Sequence, residues 1–560
     1  MRPVLRQAAL ATACLSALVL AGCGKHVASN APITYAPADT PYLFANFKDP
    51  SLDVRQAWNP DRGIPFQTSL QQLGDYAQAL TDRDPKAAKV LDALRAELAT
   101  VKSPQDFSND VGMSPTALFA IYGIGDVPVA RMQLASGDKF KAFWARVEKR
   151  ADVTVPTGMV DHQSYWDIGD DTAKVHVLVA VEGDQLVVTV APNHASEPLL
   201  KQLLGLSKPT SNASDRLARI NSDHGYGDFG SGYIDLPKLF ANLFDGKDAV
   251  TQTFAKDLGN DSLANPACAS EFAGLANQVP LASFGIKTYT AQEMRSSLDI
   301  ELSPSLAGAL AALKQPVAGM DAKSDDSMYD LVLALPLQKW QAFIQSRAKA
   351  AAEKTYQCPA LQSLNKFAQT AANPPVQLPP EAASLLGVRL VLDKWEAGPQ
   401  IAARVLVASS NPAELAQKVQ QTAPQFALKT IGTDGKPVAF DLPPRMQAML
   451  GGGNQGWIAA DSHSLVAGVG DGEDAKLAAA LGAPAGNGDR LLRMHADGKM
   501  YGVLASWFGR FAAMMPAQKQ PNVQRAVTVF QQMGKIVASA DVDVTLDGNS
   551  LRIESDTKHR

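Results

Sequence analysis

Thiol groups are the most nucleophilic side chains that this chain offers, and there are four of them in 560 residues. One of them, Cys23, ends a segment in which Arg2 and Arg6 are followed by an uncharged, mostly apolar run from Ala8 to Leu20. That run is shorter than the roughly 20 apolar residues that a membrane-spanning helix needs. A basic start, a short apolar run and small residues before a cleavage point are typical of a secretory signal. We therefore predict that residues 1–22 are a signal peptide.

The sequence Leu20-Ala21-Gly22-Cys23 resembles the lipobox of bacterial lipoproteins, although the resemblance covers only the start of the chain. It implies that the Cys23 thiol is diacylated, that cleavage occurs before it and that the new amino group is acylated. Several acyl chains anchor a protein stably, at about 0.8 kcal/mol per buried CH₂. Because Gly24 and not Asp follows, the resemblance also implies the outer membrane, facing the periplasm. The alternative is an ordinary cleaved signal with a chance cysteine.

Two of the other cysteines, Cys268 and Cys358, remain after the signal containing Cys14 is removed. The periplasm is oxidising, so we expect them to form a disulfide. A loop of this length would stabilise the chain by on the order of 4–5 kcal/mol in the chain-entropy model. The alternative is two separate buried thiols, because cysteine is a common core residue.

The histidines form no recognisable metal motif. None of the eight lies four residues from another, and His-Glu-x-x-His does not occur. His176 alternates with Val175 and Val177, which is typical of a strand. Neither a Gly-x-Ser-x-Gly elbow nor a phosphate-binding P-loop is present. We predict no catalytic residue, no metal ligand and no cofactor.

Several polar groups nevertheless have a chemical and a structural interpretation. Asp167, Asp170 and Asp171 could bind calcium, but their order favours a solvated turn between strands. Asp541 and Asp543 alternate with valines, which predicts the outward face of a strand. The glycines of residues 451–456 follow a predicted helix end and are better explained as a helix C-cap and loop than as a phosphate cradle.

Composition narrows the class of protein. Hydrophobic residues are 46% and charged residues 19% of the chain, as expected for a protein that buries a core. Lys and Arg total 52 against 56 Asp and Glu, so no basic excess exists to neutralise nucleic acid. Removing two arginines with the signal changes the formal charge from −4 to −6. We predict a membrane partner through the lipid anchor, a possible envelope protein or lipid, and no nucleic acid.

A weak internal repeat runs through the chain in the same order twice. The paired segments, first copy before second, are Tyr42–Phe47 with Tyr329–Ala334, Ala130–Leu134 with Ala403–Val407, Asp184–Val188 with His463–Ala467, Gly232–Leu236 with Met500–Leu504, and Ser297–Glu301 with Ser550–Glu554. Each match alone is compatible with chance, but the ordered series favours a duplication.

The turns between the predicted strands set the fold class. Glu182-Gly183-Asp184, Thr433–Lys436 and Asp547-Gly548-Asn549 are hairpin signals, and such tight turns join antiparallel strands. We predict an α+β fold of two related units, each an antiparallel sheet with helices. The expected organisation is signal peptide 1–22, flexible tether 23–37, first unit 38–315 and second unit 326–560.

The segment before the first strand, Pro37-Ala38-Asp39-Thr40, is similar to the start of uncharacterised, duplicated bacterial envelope proteins. That resemblance supports long α+β repeats and identifies no catalytic residue. Two aromatic helices remain, with Phe140, Phe143 and Trp144 in one and Trp507, Phe508 and Phe511 in the other. They predict core packing or, alternatively, a cleft for acyl chains or a partner helix.

Three functions are open at this point. The leading hypothesis is a non-enzymatic, periplasm-facing outer-membrane lipoprotein that acts as a binding or scaffold module. The second is a carrier or chaperone for lipid or another hydrophobic ligand. The third is a hydrolase whose active-site residues are dispersed in the sequence.

Overall fold

The computed structural model describes residues 30–560 except 59–62, 83, 115, 170–172, 245, 247, 258–265, 323–326, 375–377, 396–400, 427, 445, 448–454, 514 and 516–519. The fold is α+β, with antiparallel strands and many helices. Two compact units make up the chain, Met1–Leu298 and Asp299–Arg560, so the boundary precedes the expected one at 315. In the described part of the chain, no helix combines the length and the hydrophobicity needed to cross a membrane.

The first unit contains helices and strands in the following bounds. Its longer helices are α1 Leu52–Trp58, α2 Gly63–Leu80, α3 Pro85–Leu98, α4 Gly137–Ala151, α5 Glu197–Leu204, α6 Ser214–His224, α7 Leu236–Phe244, α8 Ala249–Asp257 and α9 Pro266–Ala276. Its strands are β1 Tyr42–Ala45, β2 Phe119–Ile124, β3 Val127–Gln133, β4 Thr157–Val160, β5 Gln163–Ile168, β6 Val175–Glu182, β7 Gln185–Pro192, β8 Ser231–Asp235, β9 Leu281–Tyr289 and β10 Glu293–Glu301, of which the last extends past the boundary.

The sheet of the first unit has the order β4-β5-β6-β7-β3-β2-β1-β8-β9-β10. The predicted hairpin at Glu182-Gly183-Asp184 is confirmed, because β6 and β7 pair antiparallel with Glu182 opposite Gln185. Gly183 has φ 54°, a left-handed conformation that glycine adopts at little cost.

Both faces of this sheet are covered. On one face, a cluster of buried residues joins the strands to α5 and α6 through Leu203, Leu204 and Leu217. On the other face, a second cluster joins the strands to α2, α3 and α4. The first unit is therefore a three-layer arrangement of helices, sheet and helices.

The segment from Asn30 to Ala36 is packed against the first unit. Ala31, Ile33 and Ala36 are almost completely buried, and the Arg131 guanidinium lies 3.5 Å from the centre of the Tyr35 ring. The expected tether of residues 23–37 is therefore too long at its C-terminal end. The small, polar composition of residues 23–37 as a whole predicted a flexible segment. Burial of the apolar side chains of Ala31, Ile33 and Ala36 in the core instead fixes its C-terminal end.

The second unit has a similar composition of elements. Its longer helices are α10 Pro304–Ala311, α11 Leu337–Glu353, α12 Gln362–Ala372, α13 Pro412–Thr422, α14 Glu473–Leu481, α15 Lys499–Ala513 and α16 Gln520–Ile536. Its strands are β11 Tyr329–Ala334, β12 Leu385–Trp395, β13 Ile401–Ser409, β14 Val438–Asp441, β15 Gln455–Ala460, β16 Ser464–Val469, β17 Arg490–Asp497, β18 Val537–Asp547 and β19 Ser550–His559.

The sheet of the second unit has the antiparallel order β14-β15-β16-β13-β12-β11-β17-β18-β19. A cluster with α14 lies on one face, where Leu477 packs with Val466. A smaller cluster with α13 lies on the other face, over β15 and β16. The predicted turn at Asp547-Gly548-Asn549 is confirmed between β18 and β19.

The two sheets have the same strand order once β4 is left out of the first. Four of the five segment matches fall on corresponding strands, but the match of Gly232–Leu236 with Met500–Leu504 is wrong. Met500–Leu504 lies in α15, and the strand that corresponds to β8 is β17. Thr433–Lys436 likewise joins no pair of strands, because β14 begins after it. The common order is what a duplication predicts, and the duplication itself stays a prediction.

Candidate functional site

The second unit has an aliphatic sheet surface that the described part of the chain leaves incompletely buried, which we call the open sheet face. Two rows of residues cross the adjacent strands β17, β11, β12 and β13; they are Met494, Leu331, Leu390 and Val405 in one row, and Leu492, Leu333, Val388 and Val407 in the other. All eight are half-buried or exposed. Leu390 is 37% and Val405 is 40% exposed.

The corresponding surface of the first unit is covered. Phe119 of β2, Met132 of β3 and Leu186 of β7 form one row, and all three are buried. They share a hydrophobic cluster with α2, α3 and α4, where Phe143 and Trp144 are also buried. The two units therefore differ in what lies over the middle of the sheet.

The helical hairpin α11–α12 explains the difference. It follows the first strand of its unit, as α2 and α3 do in the first unit, but its buried helical residues are only Ala348, Ala368 and Ala372. Within the described residues, neither hydrophobic cluster of the second unit includes a residue of this hairpin. Alanine side chains provide little area with which to cover a sheet. The hairpin also leaves Phe367 66% exposed.

The opposite face of the same strands carries a buried charged network. Asp330 of β11 accepts hydrogen bonds from Arg389 at 2.9 and 3.1 Å and from Arg493 at 2.5 Å. All three residues are buried. Beside them His495 of β17 and Asp541 of β18 lie with Nδ1 and Oδ1 2.8 Å apart. Burying three charges is tolerable because each is paired and hydrogen-bonded.

A second charged group lies further along this face. The Arg404 guanidinium lies 2.7 Å from Asp393 and 3.2 Å from Glu473, which is fully buried at the start of α14. Burial raises the pKa of Glu473, and the charge of Arg404 opposes that effect. These groups fix the helix and the strands together, so we interpret them as structural.

In the first unit, Asp126 lies in the turn between β2 and β3 and forms hydrogen bonds with residues of two helices, α7 and α8. Its backbone N–H donates to Thr251 Oγ1 at 2.9 Å, and its carboxylate accepts a bond of 3.0 Å from Asn242 Nδ2. Burial, and to a smaller extent the negative charge of Asp248, raises the pKa of Asp126 to about 7, although the bond from Asn242 works in the opposite direction. This carboxyl group therefore changes charge near neutral pH.

The predicted site residues fall into two groups. Cys268 and Cys358 are buried and form the predicted disulfide. Cys23, the predicted lipidation site, lies outside the described residues, and its acylation stays a prediction.

The aromatic helices differ from each other. Phe140, Phe143 and Trp144 are core residues of the first unit, as their spacing predicts. Trp507 is exposed instead, and Phe508 is half-buried with its ring centre 5.4 Å from that of Phe530. The side chain of Phe511 lies outside the described part of the chain.

Several acidic residues have partners that the sequence pattern did not show. Asp167 lies in β5 and contacts Nδ1 of His176 at 2.6 Å, so it is not a solvated turn residue. Asp541 pairs with His495 and Asp543 with Arg490, while their side chains stay 39% and 34% exposed. Asp170, Asp171 and residues 451–454 lie outside the described residues. Where the structure describes the chain, no three His, Cys, Asp or Glu residues are grouped so that they could hold a metal ion.

Comparisons with known proteins add little to this geometry. No protein-family model and no curated protein matches the chain. Among solved structures the chain is similar to the one described as "Structure of crystal form III of TP0453", with a TM-score of 0.24 and 8% sequence identity over 52% of this chain and 90% of that one. A likeness at this TM-score carries no argument about fold or function.

Proposed function

We propose that this protein is a non-enzymatic, periplasm-facing outer-membrane lipoprotein that binds a partner through the open sheet face. The observation that carries the proposal is the set of eight adjacent aliphatic side chains, none of them buried, on a sheet whose equivalent surface in the first unit lies beneath helices. Contiguous apolar surface of this kind marks interaction sites in soluble domains.

The chemistry of the face supports binding and not catalysis. Leu, Val and Met side chains offer no ionisable group, so the two rows supply no acid or base with which to act on a substrate. Its strands β11, β12, β13 and β17 are each paired on both sides. A partner therefore cannot bind by adding a strand there, and must contact side chains.

The proposed anchor comes from the sequence alone. Acylation of Cys23 would hold the protein at a membrane, and the mature charge of −6 gives no general attraction to anionic headgroups. Incorporation of radiolabelled palmitate into the protein and its loss in Cys23→Ala test this part. A protein that takes up no palmitate, or that is recovered in the cytosol with residues 1–22 intact, contradicts it.

Crosslinking in intact envelopes, followed by pull-down, tests the binding surface. The double variant Leu390→Gln with Val405→Gln makes the open sheet face polar. The matched control is Leu275→Gln, because Leu275 of α9 is also 37% exposed but belongs to the first unit. We expect a crosslinked species that is lost in the double variant and retained in the control. The proposal fails if the natural chain captures nothing above background, or if the double variant captures the same species.

A lipid or another hydrophobic ligand is a second candidate occupant. The aliphatic composition of the two rows favours it, because protein-binding hot spots are enriched in Trp, Tyr and Arg and neither row contains one of these. Organic extraction of the purified natural chain and of the double variant separates the two candidates. Copurifying lipid that disappears in the double variant identifies a carrier, and its absence in both leaves a protein partner.

A further inference from the structure

The first unit shows which of its ends would meet the membrane if the chain is anchored as proposed. Asn30, the first described residue, is fixed in place because its carbonyl accepts a hydrogen bond from Gln185 Nε2 at the start of β7. Only seven residue steps separate Asn30 from Cys23. Even fully extended, seven residues span about 25 Å. An acyl group on Cys23 must therefore enter the bilayer within that distance of Asn30.

Two turns lie at the same end of the sheet as Asn30. Gln185 is paired with Glu182 across the Gly183–Asp184 turn of β6 and β7. On the neighbouring strand Gln163 donates to the Val181 carbonyl at 3.0 Å, and Gln163 is in turn paired with Val160 across the Asp161–His162 turn of β4 and β5. With strands about 4.8 Å apart, three spacings place β4 about 15 Å from Gln185. This whole end of the sheet is within reach of the acyl anchor.

Met159 is an exposed apolar side chain at this end of the sheet. It lies in β4, one residue before Val160, and is 72% exposed, whereas Val160 is buried in the core. An exposed methionine on a strand gains by transfer from water into the interfacial region of a bilayer. Folding of β4 does not require an apolar side chain at position 159, because the inward-facing Val160 already packs in the core.

The charges beside the Asp161–His162 turn are paired within the protein, whereas Asp184 in the neighbouring turn is exposed. Lys201 of α5 contacts both Asp161 and Glu197 at 2.8 Å, and Glu182 forms an ion pair with Arg131. Paired carboxylates repel lipid headgroups less than isolated ones do. The ion pairs at this end of the sheet are thus compatible with close approach to a lipid surface.

We propose that the end of the first unit formed by Asn30, the Asp161–His162 turn and the Gly183–Asp184 turn faces the bilayer, with Met159 in contact with its lipid interface. The proposal rests on the proposed lipid anchor and adds to it the surface that the membrane covers. The occupant is a lipid bilayer, because the chain outside the described residues leads from this end to the acylated residue.

Depth measurement in vesicles tests the orientation. The full chain, processed and acylated in cells, is reconstituted in phosphatidylethanolamine–phosphatidylglycerol vesicles after a single thiol is introduced by Met159→Cys and labelled with an environment-sensitive fluorophore. Cys268 and Cys358 do not compete for the label because they are disulfide-bonded. The matched control is Lys174→Cys. Lys174 is exposed and directly precedes β6, so it lies at the other end of that strand, about 27 Å from Glu182 at 3.4 Å per residue.

We expect a blue shift and loss of fluorescence to nitroxide-labelled lipid at position 159, with neither at position 174. Equal loss at both positions, or loss at position 174 alone, overturns the orientation while the anchor stands, provided that the protein floats with the vesicles. A protein that does not float although Cys23 is intact refutes the anchor, and the orientation with it.

Discussion

Replacing Asp126 with asparagine is expected to stabilise the first unit at pH 8 and to change it little at pH 4. Asparagine keeps the shape of the side chain and an oxygen that can accept the bond from Asn242, but it removes the negative charge. The backbone bond of residue 126 to Thr251 Oγ1 is also unaffected. The variant therefore isolates the electrostatic cost of this carboxylate in the turn between β2 and β3.

The direction in which pH changes the free energy of unfolding depends on whether the folded or the unfolded chain holds the proton of Asp126 more tightly. The pKa of Asp126 is about 7 in the folded protein against an ordinary value of 3.8. Between these values the unfolded chain releases its proton and the folded chain keeps it, so the free energy of unfolding falls as the pH rises. At 1.36 kcal/mol per pKa unit, the full loss is about 4 kcal/mol, of which about 2 to 3 kcal/mol falls between pH 5 and pH 8.

Urea unfolding followed by circular dichroism at pH 5, 6, 7 and 8 measures the effect. The informative quantity is the difference in unfolding free energy between Asp126→Asn and the natural chain, because other groups titrate equally in both. We expect this difference to grow in favour of the variant up to about pH 7 and then to level off.

Asp434→Asn is the control, because Lys436 lowers the pKa of that exposed carboxyl group. Any stability that Asp434 contributes is lost only as the pH falls below the ordinary pKa of an aspartate, 3.8. The difference in unfolding free energy between Asp434→Asn and the natural chain therefore stays constant from pH 5 to pH 8. A difference for Asp126→Asn that is equally flat would refute the reasoning, since burial would then not be holding a proton on Asp126.

Three further outcomes follow from the described contacts. Asp330→Asn is expected to destabilise the second unit by about 3–5 kcal/mol, because two buried arginines lose their carboxylate; a change below about 1 kcal/mol in denaturant unfolding would show that the network is dispensable. Cys268→Ser with Cys358→Ser should lower the unfolding free energy by about 4–5 kcal/mol, and detection of two alkylatable thiols in the unreduced natural chain would contradict the disulfide. Trp144→Ala should cost about 3–5 kcal/mol and Trp507→Ala much less, because only the former is buried; equal losses in melting experiments would contradict that difference.

The sequence was sufficient for elements whose signals are local. Gly183 and Gly548 punctuate two hairpins, and the turn chemistry alone predicts antiparallel pairing there. The start of α13 is equally local, because the Asn411 side chain accepts a hydrogen bond from the backbone of Glu414 and Pro412 follows it. Met500–Leu504 was misassigned because a short apolar run does not distinguish a buried helix from a strand by periodicity.

The candidate site could not be found in this way, because burial of a strand face depends on what covers it. β11 reads Tyr-Asp-Leu-Val-Leu-Ala, and its alternation shows two faces without showing which one is open. One signal was present: residues 337–372 contain many alanines, so a helical hairpin there has little area with which to cover a sheet. The charged network was missed for a similar reason, because the alternation of Asp541 and Asp543 with valines predicts a face but not the arginines opposite.

The open sheet face also limits how tightly a partner can bind. Covering a half-exposed aliphatic side chain gains on the order of 1 kcal/mol, so eight of them gain on the order of 8 kcal/mol before the entropy of association is subtracted. That corresponds to weak binding in dilute solution. A lipid anchor changes the situation, because a partner held at the same membrane meets the face at a high effective concentration. We therefore infer that the two features act together, and that a Cys23→Ala form released from the membrane loses its crosslinked partner although its open sheet face is unchanged.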